Sequence, residues 1–236
     1  QRQEMFLDWL LILATLTMIT GVLGAASQMD IRKILSFHII SQIGYMIMGF
    51  AFFTPLALAG AIFYIMHHII VKTNLFLISG TIRFRYNTED LTHLGGLYKR
   101  YPLLAILFVI PAFSLAGIPP LSGFFAKFSL IVAGLKIEQY LVVAIAMLVG
   151  IMTLFSMMKI WSEAFWKAPP ATDADPNFPD KGPLPVAQII PIILLALLTT
   201  VIGFMAEPFF KVASQAAQQI LNPSEYIFHV LGVRLK

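Results

Sequence analysis

Six long apolar runs, separated by short polar segments, follow one another along the 236-residue chain. An α-helix crosses a bilayer with about 20 apolar residues, and each run is long enough to do so. The pattern therefore predicts an all-α, multi-span membrane protein with about six transmembrane helices. The predicted spans are Met5–Ala26, Ile34–Phe53, Leu56–Ile82, Pro102–Leu135, Gln139–Trp161 and Pro185–Ala206.

The fourth run, Pro102–Leu135, is too long for one straight span. Pro119 and Pro120 stand near its middle, where they remove two backbone donors and clash with the preceding helical turn. We expect one span made of two half-helices, with Gly117 and Gly123 at an unwound joint that serves gating. Broken helices recur at ion sites in transporters, whereas a simple proline kink without a transport role is the alternative.

The polar segments predict the topology and the division of the chain. Lys and Arg are concentrated after the first, third and fifth runs, and the positive-inside rule assigns that side to the cytoplasm. Arg32 and Lys33 then lie at the cytoplasmic entrance of the second span, where they either hand over protons or merely orient the helix. Because the first residue is Gln1, we expect the C-terminal part of a longer protein. The predicted parts are a five-span unit (1–168), an exposed loop rich in Pro and Asp (169–184), and a final transmembrane helix with a tail (185–236).

Composition agrees with a lipid environment and excludes several kinds of chemistry. Apolar residues make up 58% of the chain, charged residues 12%, and the mean hydropathy is +0.83, whereas soluble domains carry about 25% charged residues. The sequence contains no cysteine, which excludes disulfides and thiolate chemistry. The basic residues lie between apolar runs, so the net charge of +4 predicts no nucleic-acid surface. Without a phosphate-binding loop, metal-ligand cluster or nucleophile triad, we expect an ion-transporter subunit without cofactor or metal rather than an enzyme.

The third run carries the richest set of ionisable side chains. Tyr64, His68 and Lys72 are four residues apart and form one stripe on a helix. A charged group at the bilayer centre costs at least about 2.5–3.5 kcal/mol, which favours a functional reason for its presence. Snorkelling to the headgroups is the alternative for Lys72, but this residue lies far from either end of its run. We predict a proton relay through this stripe, with His67 either a packed histidine on another face of the helix or a further member of the relay.

Two further lysines lie within the later runs. Lys127 belongs to the second half of the broken span, where its sequence neighbours offer no counter-charge. Such a lysine needs water or a distant carboxylate, unless it snorkels from a tilted half-helix. Lys159 and Glu163, four residues apart beside Trp161 and Trp166, are predicted to form an anchoring pair at the membrane interface.

Three segments of the chain, taken in order, resemble signatures of the proton-translocating antiporter-like family. They are Asp30–Ser36 followed by Ser41–Tyr45, then His68–Gly80, then Ala116–Lys127. The family includes the antiporter-like membrane subunits of respiratory complex I and the large subunits of Mrp-type multisubunit Na+/H+ antiporters. The tail 216–232 resembles the C-terminus of one such Mrp large subunit. The resemblance implies a 14-span fold with two inverted five-helix repeats, of which this chain would hold the second repeat and the final span.

The resemblance also implies roles for individual residues. Lys72 matches a central-axis lysine, His68 a relay histidine and Lys127 the terminal protonatable lysine. Tyr64 stands where some members have a second histidine, so a hydroxyl or a water bridge would serve there. The function implied is that of an Mrp-type subunit in a bacterial plasma membrane, exchanging protons and Na+ together with other membrane subunits. A proton-pumping subunit of complex I or of a membrane-bound hydrogenase is the first alternative, and an inert membrane scaffold is the second.

Overall fold

Helices form all the regular secondary structure that the computed structural model describes, in residues 2–169 and 182–222 together with residues 224, 227, 230 and 232. The all-α prediction is therefore confirmed. The α-helices are α1 (Arg2–Ser27), α2 (Ile31–Phe52), α3 (Pro55–Tyr86), α4 (Leu97–Arg100), α5 (Pro102–Ala116), α6 (Ser122–Lys136), α7 (Tyr140–Ile160), α8 (Val186–Phe204) and α9 (Ala206–Leu221). A 3₁₀ turn spans Leu91–His93, and a π-helical turn, Trp161–Trp166, continues α7.

Five helices in the described part are long and apolar enough to cross a membrane, namely α1, α2, α3, α7 with its π-helical turn, and α8. The fourth apolar run is divided between α5 and α6, as predicted, with the joint at residues 117–121. The predicted break is thus confirmed, whereas the crossing of the membrane by the two half-helices as one span remains a prediction. The count of six spans and their arrangement as an inverted repeat remain predictions.

Local sequence explains where α2 and α3 begin and end. Asp30 caps the start of α2 because its side chain accepts a hydrogen bond of 2.9 Å from the backbone N–H of Lys33. Thr54 caps α3 in the same way, and Pro55 follows at the first helical position, where a missing N–H has no cost. Each helix stops at a residue in the left-handed conformation, Phe53 and Asn87 respectively.

The loops at one end of the bundle bind one another through their backbones. Ile31 N–H donates to the carbonyl of Glu89 at 2.9 Å, and Leu91 N–H donates to that of Met29 at 2.7 Å. These bonds hold the α1–α2 turn against the loop after α3. We call this the basic end, since it carries most of the described basic side chains: Arg32, Lys33, Arg83, Arg85, Lys99, Arg100, Lys159 and Lys167.

The predicted pair of Lys159 and Glu163 is wrong. Lys159 Nζ instead donates to the carbonyls of Ala26 at 2.8 Å and Gln28 at 2.6 Å. These carbonyls lie at the C-terminus of α1, the negative end of its dipole, and they bind the ammonium group directly, whereas Glu163 acts on it only through its charge. Glu163 pairs with Lys167 at 2.9 Å.

The C-terminal helix α9 was not predicted, because its segment contains no long apolar run and was assigned to the tail. Its buried side is made of alanines: Ala213 and Ala217, four residues apart, are fully buried. Ala217 packs with Leu58 and Ala59 of α3. Most of the predicted loop 169–184 lies outside the described residues, and the division of the chain into three parts remains a prediction.

Candidate functional site

Lys127 lies in the break between α5 and α6. In a continuous helix the carbonyls of Leu115 and Ala116 would accept from the N–H groups four residues later, but those positions are Pro119 and Pro120. Lys127 Nζ donates instead of the missing N–H groups, to the Leu115 carbonyl at 2.9 Å and to that of Ala116 at 3.1 Å. The side chain is 6% exposed. The break therefore supplies the partners of the lysine that the sequence left without a counter-charge.

Two glycines make this arrangement sterically possible. Gly117 ends α5 at φ 94°, and a Cβ there would lie 2.9 Å from Cδ of Lys127. A Cβ at Gly123 would lie only 1.8 Å from the carbonyl oxygen of Ser114. Both were predicted as part of the joint, and the close packing gives the physical reason, whereas a gating role remains a prediction.

His67 belongs to this joint. Its Nδ1 lies 2.8 Å from Oγ of Ser122, and Ser122 Oγ lies 3.1 Å from Oγ of Ser114. The backbone N–H of Gly123 also donates to Ser114 Oγ, at 3.3 Å. A chain of hydrogen bonds thus connects α3 to both half-helices. His67 Nε2 is buried and has no hydrogen-bond partner.

Lys72 and His68 lie together in the middle of α3, and both are buried. Lys72 Nζ donates to the carbonyl of Leu35 in α2 at 2.8 Å. Among charged groups, the electrostatic effect on the His68 ring is largest from Lys72, followed by Lys127. His68 Nε2 is buried without a partner. Within the described residues, no carboxylate forms an ion pair with Lys72 or Lys127.

Tyr64 shares their helix, but its hydroxyl is directed to another element. It donates to Oε1 of Gln42 in α2, its ring stacks on Tyr45 with centroids 5.5 Å apart, and His67 meets that ring edge-on at 5.7 Å. The four-residue spacing correctly placed Tyr64, His68 and Lys72 on one helix. It did not reveal that α2 binds the tyrosine hydroxyl.

The inner face of α2 was missed as part of the site. His38, Gln42 and Tyr45 are fully buried and, four and three residues apart, lie on one face. Gln42 Nε2 donates to Oγ1 of Thr153 in α7 at 3.4 Å, and the Tyr45 hydroxyl donates to the Ala146 carbonyl. The spacing of these polar residues within an apolar run was the available signal, although Gln42 and Tyr45 were used only as part of a family signature.

Tyr45 also faces the broken helix. Lys127 Nζ lies 5.0 Å from the centroid of the Tyr45 ring, within the range of a cation–π contact. A cavity of about 260 Å³ adjoins this contact and is lined by residues of the joint, α6 and α7. Gly150 leaves part of this space open, since a Cβ there would lie 3.9 Å from Lys127 Nζ.

Arg32 and Lys33 lie apart from these buried groups. Both are exposed in the first turn of α2, at the basic end. Lys33 acts weakly on Asp90, whose pKa is lowered chiefly by hydrogen bonds from the hydroxyl and backbone N–H of Thr92. Their predicted role at a cytoplasmic entrance remains a prediction. No cluster of metal-binding side chains occurs in the residues that the structure covers.

Buried lysines held by carbonyls, beside buried histidines and inside a bundle of apolar helices, define a multi-span membrane protein with a polar interior. The chain belongs to the family described as NADH:quinone oxidoreductase/Mrp antiporter, TM, which matches residues 2–155. The resemblance found in its motifs is thereby confirmed. Together with its apolar helices and bacterial relatives, this membership makes the chain a multi-pass protein of the plasma membrane.

Two bacterial relatives are similar over nearly the whole chain. The D subunit of the Na+/H+ antiporter of Alkalihalophilus pseudofirmus is 54% identical over 94% of this chain and 44% of its own length. The D subunit of the Bacillus subtilis Na+/H+ antiporter is 36% identical over 93% of this chain and 43% of its own. The chain therefore spans less than half the length of either relative.

Two solved structures contain chains with a similar fold. The Mrp complex from Dietzia sp. DQ12-45-1b contains a chain with a TM-score of 0.87 and 36% identity, covering 95% of this chain and 49% of that one. Respiratory complex I from Thermus thermophilus shares the fold, with a TM-score of 0.78 at 23% identity, over 90% of this chain and 44% of that one.

Proposed function

We propose that the chain is part of a subunit of a multisubunit Na+/H+ antiporter and conducts protons through His68, Lys72 and Lys127. The observation that carries this proposal is Lys127 itself. An ionisable side chain is buried in a helix break whose carbonyls bind it without a neutralising carboxylate. Such a site holds an ammonium group but does not lock it in a salt bridge, so that the proton can leave.

The relay would work through charge repulsion between neighbouring groups. A proton on Lys72 disfavours a second positive charge on His68, and His68 is also acted on by Lys127. In a low-dielectric interior this repulsion is strong, and the groups titrate as one coupled system. Protons would therefore move stepwise, with His68 charged only briefly between the two lysines.

The partners would be other membrane subunits of the same assembly, because the similar chains are named as subunits and one is solved within a complex. Protons and Na+ would be the ions exchanged, as the names of the relatives indicate. The described residues offer no cluster of carboxylates for a metal cation. Coupling to Na+ would accordingly depend on residues outside the part of the chain that the structure describes.

The relay is tested by Lys72→Ala in the full-length subunit, expressed with its partners and assayed for Na+/H+ antiport in everted membrane vesicles. We expect antiport to fall to background while the partners still copurify. Lys99→Ala is the matched control, because Lys99 is exposed at the basic end and should retain full activity. Full antiport by an assembled Lys72→Ala complex would exclude the relay.

A proton-pumping subunit of a redox complex is the second candidate, favoured by the likeness in fold to complex I. The membrane-bound sulfane sulfur reductase also contains a similar chain, at a TM-score of 0.78 and 28% identity. Copurification separates the two candidates. Partners that carry iron–sulfur clusters or quinone support the pump, and small multi-span partners alone support the antiporter.

A further inference from the structure

His38 is a buried ionisable group that the proposed relay does not use. It lies in α2 with no exposed surface, and both its ring nitrogens lack a hydrogen-bond partner in the described protein. A neutral imidazole carries one donor and one acceptor, and buried polar groups are nearly always paired. A fully buried histidine with both nitrogens free therefore calls for an explanation other than packing.

The surroundings of His38 connect it to the relay. It lies one turn after Leu35, whose carbonyl binds Lys72 Nζ, and one turn before Gln42. Among charged groups, the electrostatic effect on the His38 ring is largest from Lys72, followed by Lys127 and then by Lys159. His38 is thus within electrostatic reach of both relay lysines and of the lysine at the basic end.

Polar groups also lie along the face of α7 towards α2, and they lead towards the basic end. Thr153 and Ser156 are fully buried and, with Lys159, repeat every three residues. The hydrogen bond from Gln42 to Thr153 fixes the register of the two helices, which run antiparallel from this point to the basic end. The Ser156 hydroxyl donates to its own helix, at 3.0 Å to the Met152 carbonyl, and keeps its lone pairs available as acceptors.

We propose that His38 is a proton-transfer residue that connects Lys72 to the basic end of the bundle along the α7 face of Ser156 and Lys159. This inference rests on the proposed function, because it gives the relay its access to one side of the membrane. It also assigns that access to the interface of α2 and α7 rather than to the exposed Arg32 and Lys33.

The proposed step transfers protons only, with no change of oxidation state. One ring nitrogen of His38 accepts a proton arriving from the side of Lys159, and the other releases its proton to the neutral amine of Lys72. At the ring one N–H bond forms and the other breaks, an O–H or N–H bond breaks in the donor on the side of Lys159, and one N–H bond forms on Lys72. The ring is left in the opposite tautomer. Rotation of the ring restores the starting tautomer for the next proton.

The first test is His38→Gln in the full antiporter complex, in everted vesicles. We expect the maximal antiport rate to fall by about tenfold or more, with an unchanged Na+ concentration for half-maximal rate. The rate ratio between H₂O and D₂O should rise, because proton delivery becomes limiting, whereas a purely structural defect would not change it. His93→Gln, at an exposed histidine of the 3₁₀ turn, should behave as the wild type.

The outcomes separate this inference from the proposed function. If His38→Gln retains the wild-type rate while Lys72→Ala is inactive, the access route is overturned and the relay stands. If Lys72→Ala is active, the relay itself fails, and the access route with it.

A second test does not depend on how well His38 variants assemble. Ser156→Cys is exposed to Ag⁺, a water-sized thiol-reactive cation, from the basic-end face in chloride-free buffer. We expect inhibition of antiport that dithiothreitol reverses. Phe155→Cys, at a 55% exposed position on the outer face of α7, and the unsubstituted complex are the controls and should resist Ag⁺. Resistance of active Ser156→Cys would overturn the route.

Discussion

The ammonium group of Lys127 binds the carbonyl of Leu115 at 2.9 Å, and Pro119 is the residue whose missing N–H leaves that carbonyl free. The same relationship holds for Ala116 and Pro120. The prolines and the lysine therefore act together: the break leaves two carbonyl oxygens without a backbone donor, and the ammonium group of the lysine donates to both. The C-terminal end of a helix dipole adds to the attraction.

This relationship predicts that the prolines act through Lys127. In the double variant Pro119→Ala, Pro120→Ala, two N–H groups return, and they can pair with the carbonyls of Leu115 and Ala116. Lys127 then loses its partners, and we expect antiport in everted vesicles to fall several-fold although the lysine is still present. Pro111→Ala, inside α5 and away from the joint, is the control and should retain most activity. Equal effects of the two replacements would contradict the argument.

Much of this arrangement was readable from the sequence because it depends on local rules. The length of the apolar runs predicted the helices, the two prolines predicted the break, and four-residue spacing placed Tyr64, His68 and Lys72 on one helix. The partners of these side chains were not readable, because they come from other helices. Nothing local indicates that Leu35 binds Lys72 or that Gln42 binds Tyr64.

The same distinction explains the errors. Lys159 and Glu163 have the spacing of an ion pair, but the C-terminus of α1 competes for the lysine through tertiary contact. The helix α9 escaped notice because alanine, rather than a large apolar residue, forms its buried stripe. His38 was overlooked as one polar residue in an apolar run, and only its burial and its unpaired nitrogens make it conspicuous.

A second prediction concerns the packing of the two half-helices. A methyl group at Gly123 would lie 1.8 Å from the Ser114 carbonyl oxygen, a distance that backbone atoms cannot accommodate without displacement. We expect Gly123→Ala to prevent assembly or to lower the Tm of the detergent-purified complex strongly, as measured by fluorescence-detected size exclusion after heating.

Gly80→Ala in α3 is the matched control for that experiment, because a Cβ there meets nothing within 4 Å. Replacing a helical glycine with alanine should itself stabilise the helix by about 0.5–1 kcal/mol. An unchanged or raised Tm for Gly80→Ala, beside a collapse for Gly123→Ala, is the expected pair of results. Tolerance of both changes would contradict the tight joint.

A third prediction tests the bond between α2 and α3. Tyr64→Phe removes the hydroxyl that binds Gln42 and leaves a buried oxygen unpaired, at a cost of about 1–3 kcal/mol. Gln42→Leu removes the other partner. Thermal inactivation of the two single variants and the double variant should therefore be non-additive, with the double variant destabilised by less than the sum of the single effects. Strict additivity would mean that the two side chains do not interact.

The last prediction uses the space beside Lys127. A Cβ at Gly150 would lie 3.7 Å from the Tyr45 hydroxyl and 3.9 Å from Lys127 Nζ, which is ordinary contact, so Gly150→Ala should fold normally. A larger side chain would extend into the cavity of about 260 Å³ and exclude water from the ammonium group. If protons reach or leave Lys127 through this cavity, antiport in everted vesicles should fall stepwise from Gly150→Ala to Gly150→Val to Gly150→Leu, at constant yield of complex. Leu148→Ile, at a 59% exposed position of α7 that does not line the cavity, should leave the rate unchanged. A flat series at Gly150 would mean that protons do not reach or leave Lys127 through this cavity.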